Sequence, residues 1–189
     1  MRIAYVILAH KNPKQLVRMI NALATASNTV YIHIDKYVPI SAFGNVLTSA
    51  RTDGIKFIAK REHSIWGSCG IVRAALNGIS EAVNAGNFDF LCILSGQDYP
   101  IKSAKYINDF FDKNAEKSFV RYFELPCNWW AGDGGLCRLR NYHLQQIRHA
   151  TIRKALNRCL RCLTPVLPRR EFPNYLNKPY GGEAWMGFN

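Results

Sequence analysis

The 189-residue chain predicts an α/β fold, a mainly parallel central sheet flanked by helices. Three observations predict it. Short apolar runs alternate with segments of helical periodicity in the order βαβαβαβαβ, and such alternation builds parallel sheets. The first run, Ile3–Ala9 (IAYVILA), is nearly continuous instead of alternating, the mark of a strand buried on both faces. Apolar residues make up 48% and charged residues 20%, ordinary globular usage that excludes a disordered chain.

The elements follow in order. After Ile3–Ala9, Pro13 stands at a good first helical position, and Leu16, Met19, Ile20 and Leu23 give a helical stripe. Thr29–Ile34 (TVYIHI) is the second strand. Pro39 to about Ala50 reads as a helix with Ile40, Phe43, Val46 and Leu47 inward. Ile55–Ile58 is a short third strand. Gly70–Val83 is helical, with Ile71, Val72, Ala75, Leu76, Ile79 and Val83 as its inward stripe. Phe88–Leu94 (FDFLCIL) is the fourth strand, Lys105–Phe111 begins a helix after a turn at Pro100, and Phe119–Leu125 is the fifth strand. The last residues, Gly181–Asn189, read as part of a further strand.

Charge and cysteine usage narrow the class. Lys and Arg number 25 against 13 Asp and Glu, a net charge of +12. Residues 1–135 hold 15 and 11 of these, residues 136–189 hold 10 and 2, so most of the excess sits near the C-terminal end. Such an excess implies an anionic neighbour. No apolar run reaches the roughly 18 residues that cross a bilayer. Met1 and Arg2 lead straight into a strand, without the pattern of a signal peptide, so a cytoplasmic location is expected. Of the six cysteines, Cys92 lies in an apolar run, and free thiols in a reducing compartment are expected. Cys159-Leu-Arg-Cys162 falls in a helical pattern, and Cys127 and Cys137 are ten residues apart, so a four-ligand zinc site is not expected.

Sheets of this type bind ligands beyond the carboxyl ends of their strands. The polar residues fall there: His10-Lys-Asn12 after the first strand, Asp35-Lys36 after the second, Lys60–His63 and then Trp66-Gly67 after the third, Ser95-Gly-Gln-Asp98 after the fourth. Four such ends describe one polar cleft. His33 lies within a strand and reads as a core histidine. The chain has no G-x-x-x-x-G-K-[ST] loop and no G-x-G-x-x-G after its first strand. It also lacks a D-x-D pair, which many nucleotide-sugar enzymes use to hold a divalent ion on the diphosphate.

The strings AYVILAHKNPKQL, VYIHIDKY, SIWGSC and FDFLCILSGQDYPIKS resemble the core-2/I-branching glycosyltransferase family, which includes β-1,6-N-acetylglucosaminyltransferases and peptide O-xylosyltransferases. FELPCNWWAGDGG and GGEAWMGFN resemble its bacterial members, and LSGQDYPIK is the most specific piece. The resemblance implies a Rossmann-like nucleotide-sugar transferase fold (GT-A type). It implies a UDP-sugar donor, N-acetylglucosamine first and UDP-xylose as the alternative. Transfer to a glycan or protein hydroxyl with inversion is implied, with no cofactor and no divalent metal.

Carried over by position, the resemblance places Ala9 and His10 against the donor nucleotide, and Asp35 on the uridine, where a carboxylate can accept from a uracil N–H or ribose hydroxyls. Trp66 and Gly67 wall the nucleotide pocket, and Asp98 lies near the sugar. Acceptor-side candidates are Glu124, Trp129, Trp130, Glu183 and Trp185, with Glu183 standing where the family usually has Ser. Inverting transfer needs a carboxylate base and charge neutralisation for the departing diphosphate. In the family that base is a Glu downstream of the strand in which this chain stops, so it is expected beyond Asn189. The chain is accordingly expected to be one transferase domain, incomplete at its C-terminus. Residues 1–135 would form the donor-nucleotide part, and 136–189 a basic helix and the start of the acceptor-side part.

Within Gln145–Leu163, Ile152, Ala155, Leu156, Cys159 and Leu163 share one helix face, and Arg153, Lys154, Arg158 and Arg161 the other. Such a basic amphipathic helix suits peripheral contact with an anionic membrane, at its inner face for a cytoplasmic protein. Nucleic-acid binding lacks a supporting motif. A non-catalytic module binding nucleotides or anions is the alternative to the enzyme.

Overall fold

The computed structural model describes residues 1–168, 170–173 and 177–189, with the side chains of Asn45 and Leu47 excepted. The strands are β1 (Ile3–Ala9), β2 (Thr29–Ile34), β3 (Ile55–Phe57), β4 (Phe90–Ser95), β5 (Phe119–Glu124) and β6 (Tyr180–Phe188). The helices are α1 (Pro13–Leu23), α2 (Asn45–Ser49), α3 (Cys69–Ala85), α4 (Ala104–Lys113), α5 (Ala131–Gly134), α6 (Cys137–Arg140) and α7 (Ala150–Leu163). Hydrogen bonding orders the strands β3-β2-β1-β4-β6-β5. The chain divides into two compact units. One comprises Met1–Ser64, Cys69–Val120 and Ala184–Asn189, the other Ile65–Ser68 and Arg121–Glu183.

In the first unit, β1 runs parallel to both β2 and β4, with Tyr5 opposite Val30 on one side and Cys92 on the other. β3 continues the parallel set beside β2, and the end of β6 lies antiparallel to β4, pairing Leu91 with Phe188. The expected mainly parallel α/β sheet is therefore present. Because side chains alternate across a strand, β1 feeds two cores. Ile3, Tyr5 and Ile7 pack with Leu16, Met19 and Ile20 of α1, while Ala4 and Val6 pack with Ile58, Leu91 and Ala82 of α3.

Three local expectations change. The helix expected over Pro39–Ala50 is split at Gly44 into a 3-10 turn, Ile40–Phe43, and the short α2. Phe43 and Val46 are buried as expected, Ile40 is exposed, and the Leu47 side chain lies outside the described residues. A glycine in a helix interior costs up to about 1 kcal/mol against Ala, which favours a break there. α3 buries Ala74, Gly78 and Ala82, whereas Val72, Leu76 and Val83 of the expected stripe are exposed. The reason is close approach: a Cβ at Gly78 would lie 2.4 Å from Val6 Cγ1 and 2.8 Å from Ile58 Cδ1. Only a ridge of small residues lets α3 sit that near the sheet.

In the second unit, β6 approaches β5 at two glycines. A Cβ at Gly181 would lie 2.5 Å from Phe123 Cε2, and one at Gly182 2.9 Å from the Arg121 carbonyl oxygen. α5 is a single irregular turn, with Gly132 at φ 82°. The third change is in α7, where no residue is buried: Ile152, Leu156 and Leu163 of the expected apolar face are exposed. Arg153, expected on the basic outer face, is half-buried and donates from a guanidinium N–H to the Ile147 carbonyl.

Candidate functional site

The first unit gathers its polar groups at the carboxyl ends of β1, β2 and β4. β1 ends at Ala9, which is buried, and His10 beyond it is exposed. The chain turns at Asn12 in the left-handed conformation (φ 55°, ψ 59°), which Asn tolerates better than most residues, and Pro13 opens α1. The β4 end comes close to it. The Gly96 N–H donates to the Leu8 carbonyl at 2.8 Å, and a Cβ at Gly96 would lie 2.9 Å from Ala9 Cβ. Small residues at 9 and 96 are thus what allows the two strand ends to meet.

Asp35 follows β2 and is 6% exposed. Its N–H donates to the Ala9 carbonyl at 2.9 Å. One carboxylate oxygen accepts from the Tyr37 N–H and the other from the Ser64 N–H, each at 2.7 Å. A carboxylate offers about four acceptor positions, so two remain after these bonds. Asp98 is built similarly: its carboxylate accepts from the Ser95 N–H at 2.8 Å, closing the Ser95–Asp98 turn, and its carbonyl accepts from Gln15 of α1.

Two residues that sequence reasoning did not single out as functional hold this arrangement. Arg61 donates to the carbonyls of Ile34, Asp35 and Val38, clamping the exit of β2. His33, read as a core histidine, is fully buried, and its Nε2 accepts from the Glu62 N–H at 2.8 Å. That bond requires the neutral imidazole with its proton on Nδ1, and burial pushes the His33 pKa below its ordinary value. Tyr37 and His63 stack with centroids 3.8 Å apart, placing an aromatic pair beside Asp35. No sequence spacing marks that pair, because its members leave different strands.

The remaining candidates belong to the second unit, Trp185 excepted. Trp66 is 84% exposed, and Gly67 turns the chain at φ 77° with the Gln145 side chain 3.8 Å from where its Cβ would stand. Glu124 accepts from Lys178 Nζ at 3.3 Å. Trp129 and Trp130 both meet Phe123 edge-on, but their environments differ. Arg138 lies 3.9 Å over the Trp130 ring, and Gly135 leaves room for that ring where a Cβ would come within 2.0 Å of it. Trp130 is therefore a packing residue, while Trp129, 68% exposed, presents a free aromatic face. Glu183 pairs with Arg121 at 2.8 Å across β5 and β6. Trp185, in the part of β6 that belongs to the first unit, is 46% exposed.

Among the described residues no three His, Cys, Asp or Glu side chains gather closely enough to hold a metal ion. No helix among them is long and apolar enough to cross a membrane.

A family model described as Core-2/I-Branching enzyme matches residues 3–132. That span contains β1 to β5 and the strand-end loops, and it stops short of the GGEAWMGFN string. The chain is 28% identical to xylosyltransferase 2 of Rattus norvegicus and of Homo sapiens over 123 residues, 64% of this chain and 14% of each relative. It is 29% identical to a xylosyltransferase of Ciona intestinalis over 126 residues, 64% of this chain and 15% of that protein. The match therefore spans a small part of those relatives. With the parallel sheet, its loaded strand ends and a match over more than half its length, the chain belongs to the core-2/I-branching enzyme family, a family of glycosyltransferases.

Proposed function

We propose that the first unit binds the nucleotide of a UDP-sugar, and that the protein transfers the sugar to an acceptor hydroxyl with inversion and without a divalent metal. The observation that carries this reading is Asp35. It is a buried carboxylate at a strand end, with two acceptor positions left over and an aromatic pair beside it. A uracil imide N–H or ribose hydroxyls would take those positions, and the uracil ring would lie against Tyr37 and His63. Asp98 supplies a second carboxylate for the sugar hydroxyls. Trp129, with its open face, is the acceptor-side residue of choice, because aromatic faces stack on sugar C–H surfaces.

The donor sugar has two readings. The family resemblance points to N-acetylglucosamine, whereas the similar proteins named xylosyltransferases favour xylose. Competition of UDP-GlcNAc and UDP-xylose against bound UDP separates them.

Isothermal titration with UDP tests the nucleotide assignment. UDP is expected to bind and ADP to bind at least tenfold more weakly. Asp35→Asn removes the charge and one acceptor oxygen, and is expected to weaken UDP at least tenfold, consistent with about 1.5–3 kcal/mol for a hydrogen bond to a charged group. Equal affinity for UDP and ADP, or unchanged binding in Asp35→Asn, would overturn it.

A further inference from the structure

A cavity of about 330 Å³ lies within the first unit, between α1 and α4 on the face of the sheet opposite α3. Small-molecule sites measure about 300–1,000 Å³, so its size is that of a ligand pocket. Met19 and Leu23 of α1, Leu94 of β4, and Ile107 and Phe111 of α4 wall it, and residues 98–102 border it. Tyr5 lines it from β1. A strand side chain stands roughly perpendicular to its sheet, so the hydroxyl is the part of Tyr5 that reaches furthest between the helices. Tyr5 is 1% exposed, and its hydroxyl has no hydrogen-bond partner among the described residues. Buried Tyr hydroxyls ordinarily find one, because burying a polar group unpaired is unfavourable. Burial also pushes the Tyr5 pKa above its ordinary value, so the phenol keeps its proton and can donate it.

We infer that this cavity binds a neutral, largely apolar small molecule whose one hydroxyl or carbonyl oxygen pairs with the Tyr5 hydroxyl. A water alone suits the place badly, since it needs about two to four polar partners and the aliphatic and aromatic walls offer none. An apolar cavity of about 150 Å³ takes benzene, so this one has room for two fused rings. The ligand is neutral because a charge placed at this depth would meet a single O–H, too little to replace its water. The charged residues on the border are engaged elsewhere: the Asp98 carboxylate accepts from the Ser95 N–H, and Lys102 Nζ lies 5.3 Å from the Tyr106 ring centroid. The border reaches solvent at Tyr99 and Ile101, which are 50% and 93% exposed and give the entrance an apolar lip. The site rests on Tyr5 and not on Asp35, so it stands or falls apart from the nucleotide reading.

Isothermal titration of the chain with naphthol and with naphthalene tests this, because the two probes differ by one hydroxyl. Both are expected to bind, naphthol about threefold tighter or more, the size of one hydrogen bond to a neutral group. Tyr5→Phe keeps the ring and removes the hydroxyl. It is expected to abolish the advantage of naphthol and to leave naphthalene bound at least as tightly, with the thermal midpoint close to that of the parent. UDP at saturation should displace neither probe. Failure of both probes to bind would overturn the inference. So would an advantage of naphthol that survives Tyr5→Phe, which would leave the hydroxyl to a water, or displacement by UDP, which would put the probes in the strand-end cleft.

Discussion

Around Asp35 the side chains act mainly on backbone. Arg61 serves three carbonyls, Asp35 accepts from two N–H groups, and His33 accepts from a third, at Glu62. The polar strand ends that hold Asp35 and Asp98 were legible as polar residues just past clean apolar strands, and the family resemblance singled out these two. The supports were not, since a side-chain bond to a backbone N–H or carbonyl leaves no pattern in residue types. His33 gives this network a pH limit. The folded state holds its imidazole neutral, while the unfolded chain takes a proton at about 6.5. The unfolded state then binds more protons, so the stability His33 contributes is present above about pH 6.5 and lost as pH falls below it. Urea midpoints at pH 7.5 and 5.5 should show that fall. It should shrink in His33→Gln, whose amide oxygen can accept from Glu62 and does not titrate. The Asp89 carboxyl, held at about 2 by its bonds from Arg2, acts only at much lower pH. An equal fall in both proteins would remove His33 from the account.

At the scale of elements, the strands and α1 were legible because burial on both faces of a sheet leaves near-continuous apolar runs. α3 was legible as a helix but not in its inward face: Ala74, Gly78 and Ala82 make the closest approach and Ala75 and Ile79 pack beside them, while Val72, Leu76 and Val83 are exposed. Nor does a local pattern reveal that β6, last in the chain, lies between β4 and β5. Gly78 tests the close approach of α3. Gly78→Ala gains about 1 kcal/mol of helix propensity but pushes a Cβ to 2.4 Å from Val6 Cγ1, on a stiff β-branched side chain, while the Ile58 end, 2.8 Å away, can turn aside. Overpacking of a core costs about 1–3 kcal/mol, so a net loss of about 1–2 kcal/mol is expected in urea unfolding. A stabilised variant would show that α3 rides higher on the sheet.

Over the whole molecule, burial is uneven. The fully covered strands and both apolar clusters lie in the first unit, whereas Cys127 is the buried apolar residue of the second among those described. The second unit instead rests on the aromatic contacts of Phe123 with Trp129 and Trp130, on side-chain-to-backbone bonds, and on exposed pairs such as Glu124–Lys178. Exposed pairs of this kind contribute little, about 0–1 kcal/mol each. Local opening is easiest where few apolar contacts must be lost. Amide hydrogen exchange should therefore show β1, β2 and β4 protected to the level of global unfolding, and residues 137–163 exchanging on the order of 100-fold faster or more. UDP at about 100 times its dissociation constant should add about 2.7 kcal/mol of protection to those strands, as expected for a ligand bound only by the folded state. Uniform protection across both units would mean that the second carries stability its burial does not reveal. A UDP effect seen over 137–163 and absent from β1, β2 and β4 would move the nucleotide away from the strand ends.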